Sequence, residues 1–165
     1  MGFVHICHEN YEVGQTIRAG SMGRIIREQY VLFDTVSNQP LVWRLFQEQT
    51  FELIRRSEHP DLPSRMSSIF LFENFQEAQA FIKRDRRDGT NIYEVALVSP
   101  LAKIHRASMK LYDRVPLGRP AFPALEDQAR QYWDGVNYID PPFDFQPELL
   151  VESDVIVLSV LKQGE

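Results

Sequence analysis

The sequence predicts an α+β fold in one domain spanning residues 1–165. Strand-like and helix-like segments follow each other in irregular order, about six strands and three to four helices, without the regular alternation of βαβ units. The hydrophobic fraction is 44% and the charged fraction 25%, as in ordinary globular domains. A chain of 165 residues is long enough to bury a core without disulfides.

The first third of the chain is predicted to contain a strand at its start and one long helix. Phe3–Cys7 is an apolar run with strand composition and carries His5. Residues 15–17 predict a short strand, and residues 25–34 favour a helix. Between residues 38 and 56, Pro40 suits a first helical turn. A stripe of apolar residues recurs at helical spacing and predicts the long helix: Leu41, Leu45, Phe46, Leu53 and Ile54.

The stretch Ser64–Ile82 changes its hydrophobic period partway along. Ser68–Phe72 is short, apolar and rich in residues that suit a buried strand. Asn74 then provides a helix cap, and Glu77 follows three residues later, the spacing of a capping box. A buried strand that runs straight into an amphipathic helix is predicted here.

The second half of the chain is predicted to be mainly strands, with one more helix. Residues 116–123 and 137–147 are each rich in proline and are predicted to be loops. A long loop in a small domain is often functional. The predicted strands are Asn91–Val98, Lys103–Arg106, Glu148–Val151 and Val155–Val160, and the predicted helix is Leu125–Trp133, stopped by Gly135.

Composition and motifs argue against several classes of function. The net charge of -5 provides no global basic field for nucleic acid or an acidic membrane. The single cysteine, Cys7, excludes an intrachain disulfide, and the four histidines lack metal-ligand spacing, so no metal site is predicted. No apolar run reaches the ~20 residues of a membrane span, and the N-terminus lacks signal-peptide character. We therefore expect a cytoplasmic protein that does not bind membranes.

Three segments, in order, resemble the ADP-ribosyltransferase superfamily, in the branch with histidine, aromatic and acidic motifs. Phe3–Ile6 resembles the first motif, a strand with a histidine near the start of the domain. Ser67–Phe72 resembles the second, a strand with an aromatic residue that leads into a helix. Pro147–Val151, followed by Val155–Leu158, resembles the third, an acid that opens the penultimate strand.

The layout is similar to the small rifamycin-modifying ADP-ribosyltransferases. It is closer still to a bacterial family of uncharacterised domains with a Leu-Pro-Ser-Arg segment and a Tyr-Trp-x-Gly segment. In this chain those segments are Leu62–Arg65 and Tyr132–Gly135. The resemblance implies split, mixed β-sheets with flanking helices.

The resemblance also implies an activity, with NAD as the substrate and no metal. The enzyme would transfer a single ADP-ribose from NAD to an acceptor and release nicotinamide. Glu148 would stabilise the oxocarbenium-like centre, His5 would orient the ribose, and Phe70 would stack on nicotinamide. Glu152 and Asp154 remain alternatives for the acid. The superfamily often has glycine after the histidine and tyrosine as the aromatic, whereas this chain has Ile6 and Phe70.

Further residues are predicted to line the NAD site. Phe72 and Phe75 are candidates for additional walls of the nicotinamide pocket, and Ser67 and Ser68 lie at the start of the strand of Phe70. We infer a pyrophosphate contact for Arg65, because a guanidinium fork suits phosphate.

Two alternatives remain open at the level of sequence, and so does the acceptor. One is a non-catalytic module on the same scaffold that binds a protein through the aromatic loop 137–145. The other is a hydrolase built on His5 or His105 with Cys7. The acceptor could be a protein, nucleic acid, small molecule or water, and the basic run of residues 84–87 would suit nucleic acid.

Overall fold

The computed structural model of the protein describes residues 2–28, 39–85, 87–114, 120–136 and 147–164. These residues form an α+β fold, as predicted. The helices in them are α1 (Ser21–Glu28), α2 (Gln39–Glu58), α3 (Phe75–Asp85), α4 (Met109–Asp113) and α5 (Ala121–Trp133). The strands in them are β1 (Phe3–Cys7), β2 (Thr16–Ile17), β3 (Ile69–Leu71), β4 (Asn91–Leu97), β5 (Ile104–Ser108), β6 (Pro147–Val151) and β7 (Val155–Lys162).

The strands form two sheets, so the expected split is present. The larger has the order β1-β4-β7-β2 and the smaller the order β3-β6-β5. Mixed sheets were expected, but every described pairing is antiparallel. The turn 152–154 joins β6 to β7 and carries the chain from the smaller sheet to the larger.

A two-residue bridge joins the sheets at the edge of β3. The backbone N–H of Val4 donates to the carbonyl of Phe72 at 2.9 Å, and that of Phe72 donates to the carbonyl of Val4 at 2.8 Å. The start of β1 is thereby fixed beside the end of β3. This contact brings the N-terminal strand to the smaller sheet.

Alternation along β3 and β6 divides their side chains between two cores. Ile69, Leu71, Leu149 and Val151 pack between the two sheets. Because successive side chains in a strand point to opposite faces, Phe70, Glu148 and Leu150 lie on the other side. Leu150 belongs there to a core built largely by α2, α4 and α5, and Phe70 packs against it. The helices therefore cover the face that carries Phe70 and Glu148.

The cap predicted for α3 is present. The N–H of Glu77 donates to Asn74 Oδ1 at 2.9 Å, and Glu77 Oε2 accepts from the N–H of Glu73 at 3.2 Å. Ala78, on the inner face of this helix, is fully buried, and Phe81 and Ile82 pack beside it. The predicted apolar face packs against Val4 of β1, Ile92 of β4 and Phe72, which follows β3.

Other boundaries differ from the sequence-based prediction. The helix expected over residues 25–34 begins earlier, at Ser21, and residues 29–34 lie outside the described residues. The start of α5 at Ala121 takes in Pro123, which was assigned to a loop. Proline is tolerated there because the first turn of a helix needs no N–H partner. The short helix α4 was not predicted. Residues 137–146 of the predicted loop 137–147 and Arg86 of the basic run lie outside the described residues, and Pro147 begins β6.

In the described part of the chain, no helix combines the length and the apolar character required for a membrane span.

Candidate functional site

A cleft opens between the helices and the adjoining edges of β1, β3 and β6. Its volume is about 280 Å³, close to the lower end of the ~300–1,000 Å³ usual for ligand pockets. The described lining includes His5, Arg65, Phe70, Phe72, Tyr112 and Glu148. The cleft therefore brings together the three residues that the resemblance makes catalytic.

His5 reaches the cleft because the bridge between the sheets places β1 beside β3. Its Nδ1 lies 3.1 Å from the backbone carbonyl of Phe70. Since a carbonyl can only accept, we assign the proton to Nδ1, which leaves Nε2 as a hydrogen-bond acceptor. Burial lowers the pKa of His5, more than the Phe70 carbonyl and Glu9 raise it. The imidazole is therefore neutral near pH 7, with an acceptor nitrogen.

Glu148 is the second residue of β6 and is only 4% exposed. Its Oε1 accepts hydrogen bonds from the hydroxyl of Tyr132 and from Nη1 of Arg65, both at 2.7 Å. No other described residue donates to its side chain, so Oε2 is the oxygen that remains available to a ligand.

Arg65 lies at the centre of a buried polar network below the cleft. Its Nε donates to Glu48 Oε2 at 3.1 Å, on the side away from Glu148. Its guanidinium carbon lies 3.9 Å from the ring centroid of Tyr112, whose hydroxyl donates to Glu48 Oε1 at 2.8 Å. Burial disfavours the charged guanidinium, but Glu148 and Glu48 outweigh this effect and raise the pKa of Arg65.

This network corrects the role predicted for Arg65. The side chain was expected to contact a pyrophosphate, but it is 4% exposed and its fork is engaged by two carboxylates. A phosphate would have to displace Glu48 or Glu148 to bind it. Arg65 is therefore part of the support of the cleft.

The network carries an excess of negative charge. Two carboxylates, Glu48 and Glu148, face the single guanidinium of Arg65, and all three side chains are nearly excluded from water. A charge that is unbalanced in such a place interacts strongly with its surroundings, because the local dielectric constant is low. The floor of the cleft is suited to a ligand or transition state that carries positive charge.

Three predicted NAD-site residues lie outside the described lining of this cleft. Ser67 donates to Glu152 Oε1 at 3.0 Å in a separate surface groove. Ser68 is fully buried, and its hydroxyl has no hydrogen-bond partner among the described residues. Phe75 packs against the core beneath α3. Phe72, in contrast, does line the cleft.

The three residues predicted as alternatives for the catalytic acid lie in different places. Glu152 points to the groove that it shares with Ser67, and Asp154 Oδ1 accepts the N–H of Ala19 at 2.8 Å. Of the three, Glu148 alone is in the described lining of the cleft with His5 and Phe70.

The groups proposed for a hydrolase do not form a nucleophile–base pair. The Cys7 thiol donates to the carbonyl of Glu9, and burial, with a further contribution from Glu9, raises the pKa of Cys7 to about 12. A thiol with this pKa is almost entirely protonated near neutral pH and is a poor nucleophile. His105 Nε2 lies 3.0 Å from the carbonyl of Tyr132 and so is a donor there.

Glu48, Tyr112 and Tyr132 are parts of the site to which sequence reasoning gave no role. The predicted apolar stripe of α2 included Leu53, which is 64% exposed, whereas Glu48 is 1% exposed. The signal was present in the sequence, because Glu48 stands three residues after Leu45 and three before Phe51, the spacing of neighbours on one helix face.

In the part of the chain that the structure describes, no group of three or more histidine, cysteine or acidic side chains could hold a metal ion.

Comparison with known proteins identifies the family of the chain. A family model described as "protein of unknown function (DUF2441)" matches residues 5–163. The chain therefore belongs to this family. No curated protein matches it.

Proposed function

We propose that this member of the DUF2441 family is an NAD-dependent mono-ADP-ribosyltransferase. The observation that carries the proposal is the convergence of His5, Phe70 and Glu148 on one cleft. They come from β1, β3 and β6, strands that are far apart in sequence. Similarity of three short sequence motifs to a family does not by itself require that their side chains lie close together in the fold.

In the proposed reaction, the bond between the ribose C1′ and the nicotinamide nitrogen breaks. Nicotinamide leaves with the bonding electrons, which neutralise its positive ring. The acceptor then forms a bond to C1′ and loses a proton. Positive charge develops at the ribose in the transition state, as in glycoside hydrolysis.

Glu148 and His5 have the properties that this reaction needs. Oε2 of Glu148 is available to accept a hydrogen bond from a ribose hydroxyl and to stabilise the developing positive charge. The neutral His5 offers Nε2 as a second acceptor for a hydroxyl. The excess negative charge of the network below strengthens the same electrostatic effect.

Phe70 would provide a face for the nicotinamide ring, where a cationic ring gains attraction from the π-system. The cleft volume of about 280 Å³ suits a ring and a sugar better than a whole dinucleotide. The diphosphate would then lie along the rest of the lining, which includes Arg44, Arg84 and Arg87. Guanidinium groups suit phosphate.

The test is nicotinamide release from NAD labelled in the nicotinamide ring, with and without a lysate that contains candidate acceptors. The Glu148→Gln variant keeps the shape of the side chain and removes its charge. We expect it to lower the rate by roughly 100- to 1,000-fold. Glu152→Gln is the matched control, because it makes the same change on the adjoining turn outside the cleft, and it should retain the wild-type rate.

Two results would contradict the proposal. One is a wild-type protein that releases no nicotinamide under any of these conditions. The other is a Glu148→Gln variant as active as the wild type.

A further inference from the structure

Two sequence segments that the catalytic assignment leaves unused meet at Glu148. They are Leu62–Arg65 and Tyr132–Gly135. Nη1 of Arg65 and the hydroxyl of Tyr132 both donate to the same oxygen, Glu148 Oε1. Nη1 of Arg65 also donates to the hydroxyl of Tyr132, so the three groups form a closed triangle of hydrogen bonds.

We propose that Arg65 and Tyr132 are positioning residues that fix the Glu148 carboxylate in one orientation for catalysis. The inference rests on the proposed function, in which Oε2 of Glu148 acts on the ribose. Tyr132 is fully buried and lies outside the described lining of the cleft, so it contacts Glu148 from behind. It therefore acts through Glu148.

Arg65 can hold Glu148 because it is itself held on other sides. Its Nε donates to Glu48, and its guanidinium lies over the ring of Tyr112. A guanidinium that left this position would abandon two buried carboxylates, which is strongly unfavourable. The fork is thus a fixed donor.

Each segment is anchored by further hydrogen bonds. In the first segment, the Ser64 hydroxyl donates to Glu52 Oε2 at 2.8 Å, and Arg55 Nη1 donates to the carbonyl of Leu62 at 2.9 Å. In the second, Trp133 Nε1 donates to the carbonyl of Phe51 at 2.7 Å. The groups that these bonds reach, Glu52, Arg55 and Phe51, all belong to α2. Helix α2, which also carries Glu48, is therefore the common support of both segments.

The second segment also fixes the end of α5. Gly135 has φ of 70°, a conformation that ends a helix and suits glycine. A side chain there would also approach the carbonyl of Arg106, at 3.4 Å from its Cβ. This turn and the hydrogen bond from His105 to the carbonyl of Tyr132 fix the backbone position of Tyr132, from which its side chain extends to Glu148.

A fixed carboxylate matters because displacement of a catalytic group by about 1 Å can cost 100-fold in rate. With Oε1 satisfied twice, rotation of Glu148 would break both hydrogen bonds inside a buried site. Oε2 is thereby held at one place in the cleft without rearrangement during the reaction.

The test compares two buried tyrosines that make matching hydrogen bonds. Tyr132→Phe removes the hydroxyl that donates to Glu148 and accepts from Arg65. Tyr93→Phe removes a hydroxyl that donates to the carbonyl of Glu9 and accepts from the N–H of Tyr11, outside the described lining of the cleft. Urea unfolding measures the stability of both variants, and Tyr132→Phe should lose more, because its hydroxyl binds charged groups in the buried network.

Their kinetics should differ. We expect Tyr132→Phe to lower kcat roughly 10- to 100-fold with little change in KM, because the lost interaction orients a group that acts in the transition state. Tyr93→Phe should retain the wild-type kcat. An unchanged kcat in Tyr132→Phe, in an active wild-type background, would overturn the positioning role and leave the proposed function intact.

A crystal structure of the Tyr132→Phe variant decides the inference independently of activity. The positioning role predicts that Glu148 changes its rotamer or occupies more than one. A Glu148 side chain that stays where it is in the wild type would overturn the inference, even if the wild type released no nicotinamide and the proposed function had failed.

Discussion

Replacing Arg65 by methionine should destabilise the fold far more than the loss of an ordinary ion pair. Methionine is of similar length and is apolar, so the change removes the charge with little loss of packing. Two carboxylates, Glu48 at 1% exposed and Glu148 at 4%, would then face each other without a counter-charge. The structure thus predicts a variant with two unpaired buried charges.

The size of the loss follows from the burial of the pair. Removing one partner of a buried salt bridge costs about 3–5 kcal/mol in the free energy of unfolding. For a chain of 165 residues this corresponds to a fall in Tm of roughly 6 to 20 °C. Arg130→Met is the control, because its pair with Glu58 is about 40% exposed and should contribute only about 0–1 kcal/mol.

Urea unfolding of both variants at pH 7 is the assay. The double variant Glu48→Gln/Arg65→Met should be more stable than Arg65→Met alone, because one buried negative charge is removed. A loss below about 1 kcal/mol in Arg65→Met, as for the exposed control, would refute the reasoning.

Three further predictions concern stability and reactivity. Burial holds the pKa values of His5 and His105 below 6.5, so the unfolded chain binds protons first as the pH falls. The free energy of unfolding should therefore decrease below about pH 6.5, by up to ~1.4 kcal/mol per pH unit for each histidine, and either histidine-to-glutamine change should flatten the curve. A flat profile for the wild type in urea unfolding from pH 7 to 5 would contradict this. Cys7, with a pKa of about 12, should react much more slowly with a thiol reagent at pH 8 when folded than in urea; equal rates would count against its burial. Asn74→Ala should cost about 1 kcal/mol in thermal unfolding and Asn74→Asp much less, whereas equal losses would argue against the cap.

Local patterns in the sequence predicted most of the secondary structure. β1 and α3 follow from local signals, namely an apolar strand and a capping residue at the right spacing. α4 was missed because its five residues are too few for a helical period. The start of α5 was missed because proline indicates a loop in general but is compatible with a first turn.

The candidate site was predictable only in part, because its support depends on contacts between distant segments. His5, Phe70 and Glu148 were identified through the resemblance, and the structure places them in one cleft. The partners of Arg65 could not be derived from sequence, because Glu48 and Glu148 are separated from it by 17 and 83 residues. The local sequence around an arginine that precedes a strand does not show whether the arginine binds a phosphate or a buried carboxylate.

The most direct test of the central claim is a crystal structure of the protein with NAD bound. The account predicts the nicotinamide ring against Phe70, with ribose hydroxyls about 3 Å from Oε2 of Glu148 and Nε2 of His5. The Glu148 hydrogen bonds to Arg65 and Tyr132 should persist in that complex. NAD bound elsewhere on the protein, or absent from the cleft at saturating concentration, would contradict the account.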